Sequence, residues 1–145
     1  MSATETAVVP AAPVALVEGD TLSLKVGPLG RTDFVRYAGA SGDFHPLHHD
    51  EVYAHEAGFP SVFGMGLLHG GILGLHLARW VGPVNIRTFS IRFTGQVWPG
   101  DELEVTAQVD RVQEIEGVRV ANLRLAVTRQ TGDEAIRGSA VAVVA

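Results

Sequence analysis

The sequence predicts an α+β domain in which an antiparallel β-sheet wraps around one long buried helix. Three observations carry that expectation. Residues 66–81 are apolar on almost every side and too long for a strand, which marks a helix buried on most of its surface. Residues 86–93, 102–112, 118–128 and 135–144 then alternate apolar and polar with the period of two that half-buried strands require. Pro99-Gly100-Asp101, Glu116-Gly117 and Thr131-Gly132-Asp133 separate them and supply turn chemistry, so the strands should follow one another as a meander.

The elements ahead of the long helix are shorter. Residues 21–26 alternate and form a strand that Gly27-Pro28 closes. Thr32 caps a helix over 33–40, with Phe34, Val35, Tyr37 and Ala38 as its apolar face. A loop begins at Ser41-Gly42, and Asp50 caps a second short helix that runs to about residue 56 before Gly58 and Pro60 stop it. Glycines 66, 70, 71 and 74 each cost the long helix about 1 kcal/mol of propensity. That cost implies close approach by a sheet, another helix or a ligand.

Composition narrows the function. The chain has 145 residues, enough for one domain with its own core. A net charge of −5 and no basic stripe argue against nucleic acid. Without cysteine there is neither a disulfide nor a thiolate nucleophile. No basic residue precedes Lys25, so residues 1–17 read as a flexible arm and not as a secretory signal, with the domain over 18–145. The apolar run holds two histidines, an arginine and many glycines, which fits a soluble buried helix better than a membrane span. A cytoplasmic protein is expected.

The chemistry concentrates in Gly42-Asp43-Phe44-His45-Pro46-Leu47-His48-His49-Asp50. Asp43 and His48 are five residues apart on a segment that Pro46 keeps out of regular helix. A bent loop can turn both side chains toward one small molecule, and a carboxylate with a neutral imidazole can share a water for acid–base chemistry. The start of the long helix nearby offers backbone N–H groups to developing negative charge. A purely local role, with Asp43 accepting neighbouring backbone N–H groups, is the alternative. His45, His48, His49 and Asp50 are also metal-ligand types, but they lack the i, i+4 spacing or the distant third ligand of a convincing site. His69 and His76 read as core or interface histidines, and Asp101 and Glu102 as turn and edge residues.

The run Tyr37-Ala38-Gly39-Ala40-Ser41-Gly42-Asp43-Phe44-His45-Pro46-Leu47-His48 resembles the MaoC-like, (R)-specific enoyl-CoA hydratases. Their pattern is Gly/Glu-Asp-x-Asn-Pro-apolar-His. The resemblance continues through Gly66-Leu67-Leu68, Trp80-Val81-Gly82, Phe93 and Val97 to Asp101. It implies a single hotdog domain that hydrates a 2-enoyl thioester, or dehydrates the 3-hydroxyacyl thioester, carried on CoA or acyl carrier protein. It also implies Asp43 and His48 as the catalytic pair and Gly66 as the backbone donor to the thioester oxygen. His45 and Met65 stand in the family's substrate-binding positions. Three departures mark the chain: His45 for asparagine, Met65 for the histidine before the glycine, and Gly74 for a serine often found in the helix. The reaction needs water alone, so no cofactor and no metal are expected.

Three rivals remain. One is a subunit of a heteromeric hotdog hydratase, such as those for steroid side-chain CoA esters, which show a similar Asp-Phe…His-His-Asp run. Another is a non-catalytic subunit that completes a neighbour's acyl tunnel. A third is a hotdog acyl-CoA thioesterase, which usually carries its carboxylate on the long helix, whereas residues 66–81 contain no Asp or Glu. A sheet this small leaves edges open, so a homodimer is expected, with a heteromer containing another hotdog chain in reserve.

Overall fold

A computed structural model describes residues 9–145. The elements are β1 (Thr21–Val26), α1 (Arg31–Ser41), α2 (Glu51–Glu56), α3 (Gly66–Val81), β2 (Ile86–Phe93), β3 (Leu103–Ile115), β4 (Val118–Arg129) and β5 (Glu134–Val143). Single turns of 3₁₀ helix lie at Pro46–His48 and Pro83–Asn85. The strands form one five-stranded antiparallel sheet in the order β1-β3-β4-β5-β2, with α3 packed on it. This is the hotdog arrangement.

The expected helices and strands are present, with four corrections. The four later strands do not form a simple meander: β2 pairs with β5, placing it at the opposite edge from β1. Alternation tells which side chains share a face and says nothing about which strand lies alongside. Gly30, not Thr32, is the N-cap of α1, and the Asp33 carboxylate accepts the Gly30 N–H at 2.8 Å. Helix α3 is buried along one stripe and not on most of its surface. His69, Leu73, Leu77 and Val81 are buried, while Leu67 and Leu75 stay exposed.

The core lies between that stripe and the inner face of the sheet. Leu103, Val105, Ala107 and Val109 of β3 and Ala121, Leu123, Leu125 and Val127 of β4 are buried. Each fully buried leucine contributes roughly 1.5–3 kcal/mol. Close approach of β2 explains two of the α3 glycines. A Cβ at Gly66 would come within 2.8 Å of the Phe93 ring, and one at Gly70 within 2.7 Å of Ile91 Cδ1. Gly71 meets nothing, so the sheet accounts for only part of the glycine content. Of the arm expected over 1–17, residues 1–8 lie outside the described residues. Beyond them, Leu16 is buried, Val14 packs against the core, and the Val14 carbonyl accepts the Ala145 N–H at 2.9 Å. No helix among the described residues is long and apolar enough to cross a membrane.

Asp101 corrects the reading of it as a simple turn residue. It is 3% exposed, and Arg129 grips it with two bonds of 2.6 and 3.1 Å. Its carboxylate also accepts the Trp98 N–H and the Gln130 amide, each at 2.8 Å. Burial pushes the Asp101 pKa up, but the Arg129 guanidinium and the two other donors outweigh it and hold the group below the ordinary carboxylate value. The turn from Trp98 to Asp101 is thereby pinned to the end of β4.

Arg129→Met should lower unfolding stability in urea by about 3 kcal/mol, because it leaves Asp101 buried and unpaired. The pair also has a pH signature. With the folded value depressed, its stabilisation is present above the unfolded carboxylate value and is lost as pH falls through the folded one. Asp101→Asn should flatten that acid limb of stability, measured by urea melts from neutral pH downward.

Candidate active site

Gly42 ends α1 in the left-handed conformation, φ 76°, and its N–H donates to the Ala38 carbonyl. Glycine enters that region without steric cost, so the chain can leave the helix sharply. The following loop is held by its own side chains. Asp43 Oδ1 accepts the His45 N–H at 3.3 Å, and His45 Nδ1 accepts the Leu47 N–H at 3.2 Å. The His45 carbonyl accepts the His48 N–H at 3.0 Å, closing the 3₁₀ turn that carries His48. Asp50 then caps α2 as expected, accepting the Val52 and Tyr53 N–H groups at 3.0 and 3.1 Å.

This folding brings Asp43 Oδ2 to 3.8 Å from His48 Nε2. The two differ in burial: the His48 side chain is 13% exposed and that of Asp43 44%. His48 Nδ1 lies 2.7 Å from the Phe63 carbonyl. A carbonyl only accepts, so Nδ1 carries a proton, and a neutral ring in this pose turns its Nε2 lone pair toward Asp43. The 3.8 Å gap is too long for a direct hydrogen bond. A water oxygen about 2.8 Å from both atoms would see them about 85° apart, a workable geometry for two acceptors on one water. The Phe63 ring packs edge-on against His48 at 5.3 Å and against Trp98 at 5.7 Å. Gly64 N–H donates to the Val97 carbonyl at 2.8 Å. His48 is thus backed by the same turn that Asp101 and Arg129 pin.

Two recesses meet here. Asp43, Gly66, Leu67, His69, Phe93 and Gln96 line an open cleft of about 330 Å³. Phe34, Val35, Ala38, Phe44, His48 and Met65 line a mainly apolar pocket of about 380 Å³. The chain pairs Asp43/Phe44 and Met65/Gly66 each give one residue to either side, so the boundary runs beside the Asp43–His48 pair. No side chain caps α3, whose N-cap is the apolar Met65. Its first-turn N–H groups therefore include donors free of any side-chain acceptor, at a helix end that favours negative charge.

Of the residues expected at the site, Asp43, His48, Gly66 and Met65 converge on these recesses. His45 does not line either one. Its Nδ1 is occupied by the Leu47 N–H. His69, set aside on sequence as a core histidine, is 2% exposed and reaches the cleft wall with Nδ1 unpartnered. Its place in the 69/73/77/81 stripe hid it, since that spacing reads as core. Burial drives its pKa down to about 4, against upward pushes from the Gly64 backbone and Asp101. Among the described residues no group of three His, Asp or Glu side chains is placed to hold a metal ion.

Comparison with known proteins adds an independent finding. Residues 6–131 match the family described as MaoC like domain. The (R)-specific enoyl-CoA hydratase of Aeromonas caviae is 35% identical over 116 residues, covering 77% of this chain and 84% of that protein. The fatty acid synthase beta subunit TOXC of Cochliobolus carbonum is 32% identical over 107 residues, which is 72% of this chain and 5% of that relative's length. Among solved structures, the unliganded R-hydratase PhaJ1 from Pseudomonas aeruginosa superposes with a TM-score of 0.76 at 25% identity. That match covers 89% of this chain and 83% of the other.

A proton-NMR titration should show the His69 ring keeping neutral shifts down to about pH 4. Because its folded value lies below the ordinary one, the neutral ring favours the folded state fully above the unfolded value, and that advantage drains as pH falls toward 4. A His69 signal titrating near pH 6.5 would show that the ring is solvated instead.

Proposed function

This chain belongs to the MaoC-like domain family, and we propose that it is a hydro-lyase acting on acyl thioesters: it adds water to a 2-enoyl thioester with (R) specificity and runs the reverse dehydration. The observation that carries the reading is the Asp43–His48 pair, 3.8 Å apart with His48 Nε2 facing the carboxylate, beside a helix end that no side chain caps.

The chemistry follows from that geometry. Asp43 Oδ2 and His48 Nε2 hold one water against C3 of the substrate. As the water oxygen bonds to C3, Nε2 takes a proton and the C2–C3 π electrons move toward the thioester carbonyl. The resulting enolate oxygen is met by the Gly66 N–H at the start of α3, where the helix dipole favours negative charge. A proton then passes from the pair to C2, restoring the thioester and the neutral imidazole. The apolar pocket on the far side of His48, with Met65 in its wall, suits the hydrocarbon part of the substrate. A thioesterase reading is less well supported, because α3 offers no carboxylate to direct water at the carbonyl carbon.

Assembly belongs to the same proposal. Strand β2 is an open sheet edge, and beside it Leu67 (61%), Phe93 (52%), Leu75 (49%) and Phe89 (39%) are exposed. Leu67 and Phe93 also line the cleft, so a neighbouring chain docked there would complete its wall. A homodimer is the simpler arrangement, and an unlike hotdog chain is the reserve.

Asp43→Asn and His48→Ala should each cut hydration of crotonyl-CoA, followed by loss of enoyl absorbance, by about a hundredfold or more. Asp43 sits on a loop and His48 on a single 3₁₀ turn, so circular dichroism should be unchanged. Full activity in either variant, with wild type active, would sink the assignment. Light scattering should give a mass twice that of the monomer. A monodisperse, fully active monomer would refute both assemblies, and an inactive chain rescued by a second hotdog subunit would select the heteromer.

A further inference from the structure

His45 stands where the resembling family has asparagine, and its ring is tied to the turn and not to the cleft. Pro46 has no N–H, so the 3₁₀ turn Pro46–His48 presents two amide hydrogens at its start. Both end on His45. The Leu47 N–H meets Nδ1 at 3.2 Å, and the His48 N–H meets the carbonyl at 3.0 Å. The first bond needs a lone pair on Nδ1, so it exists only while that nitrogen carries no proton. An asparagine Oδ1 sits the same number of bonds from Cα and accepts at every pH.

We propose that His45 is a positioning residue for His48: its unprotonated Nδ1 holds the 3₁₀ turn in place, and protonation of His45 releases the turn and lowers turnover. The inference rests on the hydratase reading only where it speaks of turnover. Protonation would set an Nδ1–H against the Leu47 N–H, donor facing donor, and the turn would lose the bond that caps it. His45 is exposed to solvent. The groups facing it are few among the described residues. Asp43 Oδ1 accepts its backbone N–H at 3.3 Å, the His48 ring lies 6.1 Å away, and Tyr53 of α2 packs edge-on at 5.9 Å. Asp50, at the start of α2, is occupied by the Val52 and Tyr53 N–H groups. A charged His45 would also attract the Asp43 carboxylate and so disturb both members of the pair.

The test compares wild type, His45→Asn and His45→Ala by the pH profile of crotonyl-CoA hydration and by amide NMR of Leu47. His45→Ala should lower kcat about five- to tenfold, the scale of a lost cap, with KM changed by less than about twofold. His45→Asn should restore kcat at neutral pH. Its acid limb should lack the extra drop of up to about five- to tenfold that protonation of His45 adds in wild type, since loss of the cap slows turnover without abolishing it. The Leu47 amide shift should follow the His45 ring titration in wild type and become flat in His45→Asn. Wild-type kcat in His45→Ala, no rescue by asparagine, an unchanged acid limb in His45→Asn, or a Leu47 amide indifferent to His45 would each overturn the proposal. If wild type hydrates no enoyl thioester, the hydratase reading fails by itself, while the Leu47 amide still decides whether His45 caps the turn.

Discussion

The close contact between α3 and β2 is the constraint on which the rest depends. Gly66 and Gly70 leave room for the Phe93 ring and the Ile91 side chain, where any Cβ would collide. With that contact made, α3 presses its 69/73/77/81 stripe into the sheet and its N-terminus comes to rest beside the loop that carries Asp43. Moving the helix outward by the width of a methyl group would lift the first-turn amides away from that loop. The weak helix propensity of this segment is therefore a condition of the site.

The pair itself is held in two independent ways. From its own side, the loop uses short local bonds: the Asp43 carboxylate, the His45 ring and the Asp50 carboxylate each satisfy backbone N–H groups within three residues. From behind, His48 leans on Phe63, Phe63 on Trp98, and Trp98 on the turn that Asp101 and Arg129 fasten. Local bonds set the direction of Asp43, while the Phe63 carbonyl fixes the Nδ1 proton of His48 and the aromatic stack sets its depth. The different burial of the two groups follows from this division. It leaves a solvated carboxylate facing a ring whose proton is already committed to a carbonyl.

Legibility in the sequence follows the range of the interaction. The bounds of α3 and β2, the Asp50 cap and the convergence of Asp43 with His48 were readable, because periodicity, capping and a proline-bent loop are all local. The pairing of β2 with β5 was not, since alternation carries no record of the neighbouring strand. Asp101 read as a turn residue because its partner Arg129 lies a whole hairpin away. His69 read as core because its spacing is that of core, and what distinguishes it is an unpartnered nitrogen that only packing reveals. The family assignment was readable because the residues that mark it lie close together in the chain, whereas the roles of Asp43, His48 and Gly66 remain proposals that the fold accommodates.

The exposed apolar residues and the cleft are one surface. Leu67 and Phe93 are large, exposed and part of the cleft wall at the same time. Anything that covers them to remove apolar area from water also narrows the opening above Asp43 and the start of α3. On the proposed mechanism, excluding water there would strengthen each electrostatic contact to a developing oxyanion, because the effective dielectric falls. The hydrophobic gain from covering β2 and α3 would thereby be coupled to the proposed chemistry beside them. A chain with its polar groups already placed would still hold a wet, weakly focused site until that surface is closed.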